Sequence, residues 1–265
     1  MSENLIGYID DQGNIIDTQS AGENCTATPI EYDNSEASLE IVRHSTAHLM
    51  AQAITELYPN SQFFVGPVVD EGFYYDFRVD EQIGENDLKA IEKKMKELIK
   101  KKHKIEKYEM NKAEAMEKFA GDDLKQKVMS RIEDDTLSIY KQGDFEDLCR
   151  GPHVPALRFL HNFKLTRVAG AYLGGDENEE MLTRIYGVAF ADKESLKAHM
   201  TMLEEAKKRD HRKIGHEMEL FMFNEAAGAG LPFWMPKGAK LRHKLESILH
   251  KAHLTRGYEP VRGPE

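Results

Sequence analysis

The stretch DLCRGPHVP, residues 147–155, restricts the path of this chain more than any other. Pro152 cannot occupy a helix interior and biases Gly151 toward an extended conformation, so Cys149 and His153 belong to a loop after a strand. Fully extended, the two residues would stand ~13 Å apart at ~3.3 Å per residue. Only a turn brings thiol and imidazole together. Gly151 lets that turn form and lets a ligand approach the backbone closely. One thiol and one imidazole do not make a site, so any fold that uses them must deliver partners from elsewhere in the chain.

The segment RHSTAHLMAQAI offers those partners, because a helix from about Ser35 to Tyr58 places His44 and His48 on adjacent turns of one face. At ~100° per residue from His44, the apolar residues Leu39, Val42, Leu49, Ala53 and Leu57 fall between ~140° and ~220°, and His48 near ~40°. The histidines are expected to point away from the apolar stripe. Ala47 and Ala51 beside them would leave room for a ligand. Asp33, Asn34 or Ser35 can cap this helix, and Pro59 lies just beyond its end.

Elsewhere, LIGYIDDQGNIID reads as two short strands around a turn at Asp11 to Gly13, and AGENCTATPIEYDN as a linker. SQFFVGPVVDEGFYYDFRV reads as a hairpin turning at Asp70 to Gly72. An amphipathic helix follows, with Leu88, Ile91, Met95, Leu98 and Ile99 beneath a run of lysines. Strand signals at KIEKYEM, TLSIY, FEDLC, FKLTRVAGAYL and MLTRIYGVAF mix with helices without regular alternation, which predicts an α+β fold with a mainly antiparallel sheet and packed helices. The expected organisation is an N-terminal hairpin and linker over 1–34, a domain over 35–192, a helical connector over 193–215, and the start of a further domain over 216–265.

Composition narrows the function classes. A net charge of −10 argues against a uniformly basic nucleic-acid binder but permits local positive patches, at 89–104 and 206–213. No run approaches the ~18 apolar residues of a membrane span, and MSENLIGYID lacks the pattern of an export signal. Two cysteines, Cys25 and Cys149, are too few for a disulfide framework, which predicts a reduced, cytoplasmic protein without a membrane partner. There is no phosphate loop, dinucleotide fingerprint or H-E-x-x-H motif. The residue types of His44, His48, Cys149 and His153 suit zinc, a metal-free hydrolytic site in which imidazoles position and deprotonate water, or a cysteine nucleophile.

Taken in order, RHSTAHLMAQAI, VGPVVDEGFYYD, DLCRGPHVP, AGAYLGGDENEEMLTRIYG and DHRKIG resemble the editing domain and connector of bacterial threonyl-tRNA synthetases, from about residue 38 to the end. The resemblance implies that His44, His48, Cys149 and His153 line a site hydrolysing serine wrongly attached to threonine tRNA. The acceptor end of tRNA(Thr) is then the partner and seryl-tRNA(Thr) the substrate. A similar quartet in alanyl-tRNA synthetase editing domains holds zinc, whereas the threonyl version works without metal, so no metal is expected for editing and zinc on the four residues stands as the alternative. The resemblance also implicates Lys127 as a water-activating or charge-stabilising group and Asp147 as a contact to the substrate amine. Gly66, Tyr75 and Tyr140 would shape the pocket.

Two departures from the family pattern stand out. Only a short hairpin and linker occupy the place of the small ubiquitin-like domain that such proteins commonly begin with. GYEPVRGPE resembles the first class II synthetase motif, with Pro264 in the place of its proline, and the chain ends inside it. The sequence therefore reads as part of a longer, homodimeric ligase. The ATP and zinc of that enzyme would bind outside this segment, and the segment alone is not expected to charge tRNA.

Overall fold

A computed structural model describes residues 3–21, 27–224, 228 and 230–261. Cys25 and Pro264 lie outside the described residues. The chain divides into two compact units, Met1–Ala198 and His199–Glu265.

The first unit opens with β1 (Leu5–Ile9), β2 (Ile15–Asp17) and β3 (Thr28–Glu31), a three-stranded antiparallel sheet with β1 in the middle. The expected hairpin is present, but the segment read as a linker carries a third strand. Ile6 and Ile30 are buried in the main apolar core, so β1 and β3 are built into this unit rather than leading up to it.

Helix α1 (Glu36–Leu57) starts where expected, with the Ser35 side chain accepting from the Ser38 amide. Strands β4 (Gln62–Phe63), β5 (Val68–Val69) and β6 (Gly72–Arg78) follow, with Val69 opposite Gly72 at the hairpin turn. Helix α2 (Leu88–Lys100) buries Leu88, Ile91, Met95, Leu98 and Ile99 beneath its lysines, as its periodicity requires. After β7 (Ile105–Asn111) come the short helices α3 (Lys112–Lys118), capped by Asn111, and α4 (Asp123–Ser130), capped by Asp122. Strands β8 (Thr136–Gln142) and β9 (Phe145–Leu148) complete a second antiparallel sheet, ordered β7-β8-β9. The long strands β10 (Asn162–Tyr172) and β11 (Met181–Phe190) extend the third, ordered β10-β11-β6-β4 with β5 also on β6. The fold is α+β and antiparallel, as the strand and helix signals predict.

Helix α1 packs against α2, β6, β11, β1 and β3, and is buried almost continuously from Ile41 to Ile54. The expected open face beside the histidines is not there. Ala47 and Ala51 are fully buried in the main core, so their small side chains allow close packing instead of leaving space for a ligand.

Helix α5 (Lys193–Lys208) begins at the end of the first unit, where Asp192 accepts from the Ser195 amide. In the second unit, α6 (His211–Glu217) precedes a two-stranded sheet of β12 (Phe221–Phe223) and β13 (Pro232–Trp234), and then α7 (Pro236–Leu254). Leu241, Leu245, Ile248 and Leu249 on α7 are about half exposed. Among the described residues, no helix is long and apolar enough to cross a membrane.

Candidate active site

Helix α1 projects His44 and His48 toward the loop after β9, and the quartet meets there. The candidate ligand atoms of His44, His48, Cys149 and His153 all lie within 4.8 Å of one another. Cys149 Sγ stands 3.1 Å from His44 Nε2 and 3.3 Å from His153 Nε2. The turn inferred for residues 149–153 is real: Gly151 adopts φ +77°, and a Cβ there would collide with the Tyr140 hydroxyl.

Ser45 sets the orientation of His153. Its single hydroxyl proton goes to the Ile41 carbonyl at 2.8 Å, while its oxygen accepts from the Val154 amide at 3.0 Å. Toward His153 Nδ1, 3.2 Å away, it can then only accept, so Nδ1 carries the proton and Nε2 presents a lone pair to the sulfur. The His44 ring donates to the Pro152 carbonyl, and His48 Nδ1 faces Asp147 Oδ2 at 3.8 Å. The His44 and His153 rings are thus each held by a group outside the quartet, and His48 lies beside Asp147 without a hydrogen bond to it.

Burial sets the charge state. It lowers His44 to about 4 and His48 to about 3, and pushes His153 well below its usual range; the field of Asp147 only partly offsets this for the first two. Three neutral imidazoles at pH 7 can accept protons. Burial pushes the Cys149 thiol up to about 12, which removes the thiolate a nucleophilic cysteine requires.

Beneath the quartet lies a buried ion pair that the sequence did not reveal. Lys125, 3% exposed, pairs with Asp147, 1% exposed, and Tyr75 donates to the other Asp147 oxygen at 2.5 Å. Burial alone would raise the Asp147 carboxyl. The charge of Lys125, with hydrogen bonds from Lys125 and Tyr75, holds it below its usual range. Lys127, the lysine expected at the site, is exposed and pairs with Glu179 at 3.3 Å and Glu180 at 3.7 Å. That expectation is corrected by helix geometry: two residues along α4 is a turn of ~200°, so Lys125 faces inward with Leu124 and Met129 while Lys127 faces out. The Asp122 cap and the Leu124, Val128, Met129 spacing were the available signal.

The remaining expected residues surround this pair. Gly66 packs on the Tyr75 ring, where a Cβ would come within 2.6 Å. The Tyr140 ring meets His153 edge-on at 4.4 Å between centroids, and its hydroxyl donates to Asp17, a residue of β2 that no sequence motif connects with the site. A cavity of about 380 Å³ opens at Cys149, walled by Phe64, Val65, Leu137, Leu148 and Arg150. A second, of about 370 Å³, opens at Lys125 and Asp147 beside Phe63, Phe119, Asp122 and Glu146.

A family profile described as "Threonyl and Alanyl tRNA synthetase second additional domain" matches residues 137–186, the span that supplies both Cys149 and His153. Fold and sequence together define an editing domain of the aminoacyl-tRNA synthetases. Over all 265 residues the chain is 86% identical to the threonine–tRNA ligase of Sulfurovum sp. (strain NBC37-1) and 64% identical to that of Campylobacter lari (strain RM2100 / D67 / ATCC BAA-1060). It is 65% identical over 257 residues to that of Campylobacter concisus (strain 13826). The chain belongs to the threonyl-tRNA synthetase family. It spans 44% of the length of the first two relatives and 42% of the third.

Proposed function

We propose that residues 35–192 form an editing domain that hydrolyses seryl-tRNA(Thr), within a cytoplasmic, homodimeric ligase that joins threonine to tRNA. The observation that supports this most is the juxtaposition of three neutral imidazoles with a buried lysine–carboxylate pair beside an open cavity. Serine differs from threonine by one methyl, and a missing methyl gives a synthetic pocket only ~1–3 kcal/mol of discrimination, or ~10–200-fold. A second pocket can reverse the sense, admitting serine while threonine clashes.

In the proposed reaction, a water oxygen attacks the ester carbonyl carbon and an imidazole accepts the water proton. The bond from that carbon to the ribose oxygen then breaks, and the proton passes to the released ribose hydroxyl. Burial keeps His44, His48 and His153 unprotonated at neutral pH, so each offers a lone pair to the water proton, while it lowers the basicity of each ring. Lys125 takes the part that the resemblance assigned to Lys127, facing the developing oxyanion, and Asp147 receives the substrate amine. His44→Ala and Lys125→Ala are expected to suppress deacylation of seryl-tRNA at least about a hundredfold. Normal hydrolysis by both variants would refute the assignment.

A second reading is a zinc-stabilised tRNA-binding module without catalysis. It is supported by four donors within 4.8 Å, with the His44 and His153 rings each hydrogen-bonded to an outer partner. The donor set fits: His44, His48, Cys149 and His153 would hold the ion, which would supply folding energy or polarise a bound water. One tightly held zinc per chain whose removal unfolds the protein would favour this reading.

A further inference from the structure

Outside the site, the sharpest charge feature is a basic groove formed by α2, the loop before β7 and the segment that follows His153. Two adjoining depressions, of about 490 and 600 Å³, share Lys102 and Arg158. Lys96 and Lys100 line one and Lys104 the other, all exposed or half-buried at the protein surface. Among the described residues, Glu106 is the one acid lining either depression. On the same stretch, Lys94 and Lys101 both pair with Glu56. Lys96, Lys100, Lys102 and Lys104 form no ion pair among the described residues, and Arg158 donates only to the Glu3 carbonyl, which leaves its charge uncompensated. Five unpaired positive charges stand out on a chain of net charge −10.

Lysines at a helix C-terminus also complement the helix dipole, which accounts for Lys100. It does not account for Lys104 or Arg158, which come from other segments. Lys102 holds φ +55° just after α2, a position where glycine or asparagine is the unstrained choice. A lysine there places a side chain in both depressions. The groove is tied to the site by chain connectivity. Pro155 accepts from the Ile105 amide, Leu157 donates to the His103 carbonyl, and Lys104 bridges Ala156. Arg158 follows His153 by five residues, so their Cα atoms are at most ~18 Å apart at ~3.6 Å per residue.

We propose that this groove binds the phosphate backbone of the RNA whose 3′ end enters the quartet site. The proposal rests on the editing reading for the identity of that RNA. Spaced cations on one face of an otherwise acidic protein suit a polyanion, and they would hold the RNA in register while contributing nothing to ester cleavage.

The test uses the full chain and a five-site variant carrying Lys96→Gln, Lys100→Gln, Lys102→Gln, Lys104→Gln and Arg158→Gln. A control carries Lys89→Gln and Lys93→Gln, exposed lysines of the same helix region outside the groove. Binding of uncharged threonine-accepting tRNA is followed by fluorescence anisotropy between about 50 and 200 mM salt. The groove variant is expected to bind at least about tenfold more weakly, with a salt slope shallower by about one unit for each phosphate that is no longer neutralised. The control should keep the native slope. KM for seryl-tRNA should rise in the groove variant, while hydrolysis of 3′-O-seryl-adenosine, which has no phosphate backbone, stays native. An unchanged slope, or an equal loss per charge in the control, overturns the proposal. If the native chain hydrolyses neither ester, the editing reading fails while the slopes still decide the groove.

Discussion

Replacing Lys125 by methionine removes one partner of a buried ion pair and leaves Asp147, 1% exposed, without its compensating charge. Loss of one partner from such a pair costs ~3–5 kcal/mol, because the remaining charge stays desolvated. For a unit of this size that lowers Tm by roughly 6–20 °C, at ~2–4 °C per kcal/mol. Lys127→Met breaks only exposed pairs with Glu179 and Glu180 and should cost ~0–1 kcal/mol. The pH dependence gives an independent check. In the native chain the Asp147 carboxyl lies below its usual range despite burial, held there by the charge of Lys125 and by hydrogen bonds from Lys125 and Tyr75. Its folded pKa is below its unfolded value, so its contribution to stability is complete above the ordinary carboxylate pKa of ~3.9 and is lost as pH falls through the folded value. Without Lys125, burial prevails and the folded pKa moves above the unfolded one. Protonation then favours the folded variant, so its deficit relative to the native chain should narrow as pH falls from about 7 to about 5. Chemical denaturation across that range measures it. A Lys125→Met variant within ~1 kcal/mol of native, or a deficit that does not shrink on acidification, would refute the buried-pair reasoning.

The three histidines give the native chain its own acid response. Their folded pKa values lie below ~6.5, so the unfolded state takes up protons first, and stability should fall by about 1 kcal/mol per histidine between pH 7 and pH 5.5. His44→Gln should flatten that slope by about a third, read from urea unfolding at each pH. In a Cys25→Ser background, Cys149 should react with iodoacetamide at pH 8 at least about a hundredfold more slowly than a free cysteine, since its thiol is pushed up to about 12. Alkylation at the free rate would show the thiol exposed or ionised. Gly151→Ala should destabilise by ~2 kcal/mol or more, through the strain of φ +77° and the clash with the Tyr140 hydroxyl. An unchanged Tm would show that the loop repacks freely.

The local elements were legible because local chemistry decides them. Ser35 and Asn111 stand at helix starts, the stripe on α2 has helical period, and Pro152 with Gly151 forces the turn. The quartet was legible as residue types, since a thiol and three imidazoles have few common uses. What the sequence hid depends on packing between distant segments. Helix α1 is enclosed on nearly all sides, so its periodicity could not show which face was free. Lys125 and Lys127 are both lysines in one short helix, and the spacing of Leu124 and Met129 marks which one turns inward, but not the Asp147 carboxylate that it meets there. The bond from Tyr140 to Asp17 joins residues 123 apart, beyond the reach of any local pattern.

The proposed chemistry meets its most direct test when the chain is incubated with seryl-tRNA(Thr) and threonyl-tRNA(Thr) in parallel, and release of each amino acid is followed. Rapid loss of serine with threonine retained, abolished by Lys125→Ala but not by Lys127→Ala, is the expected result. Both esters surviving as long as they do in buffer, or both cleaved at one rate, would contradict it.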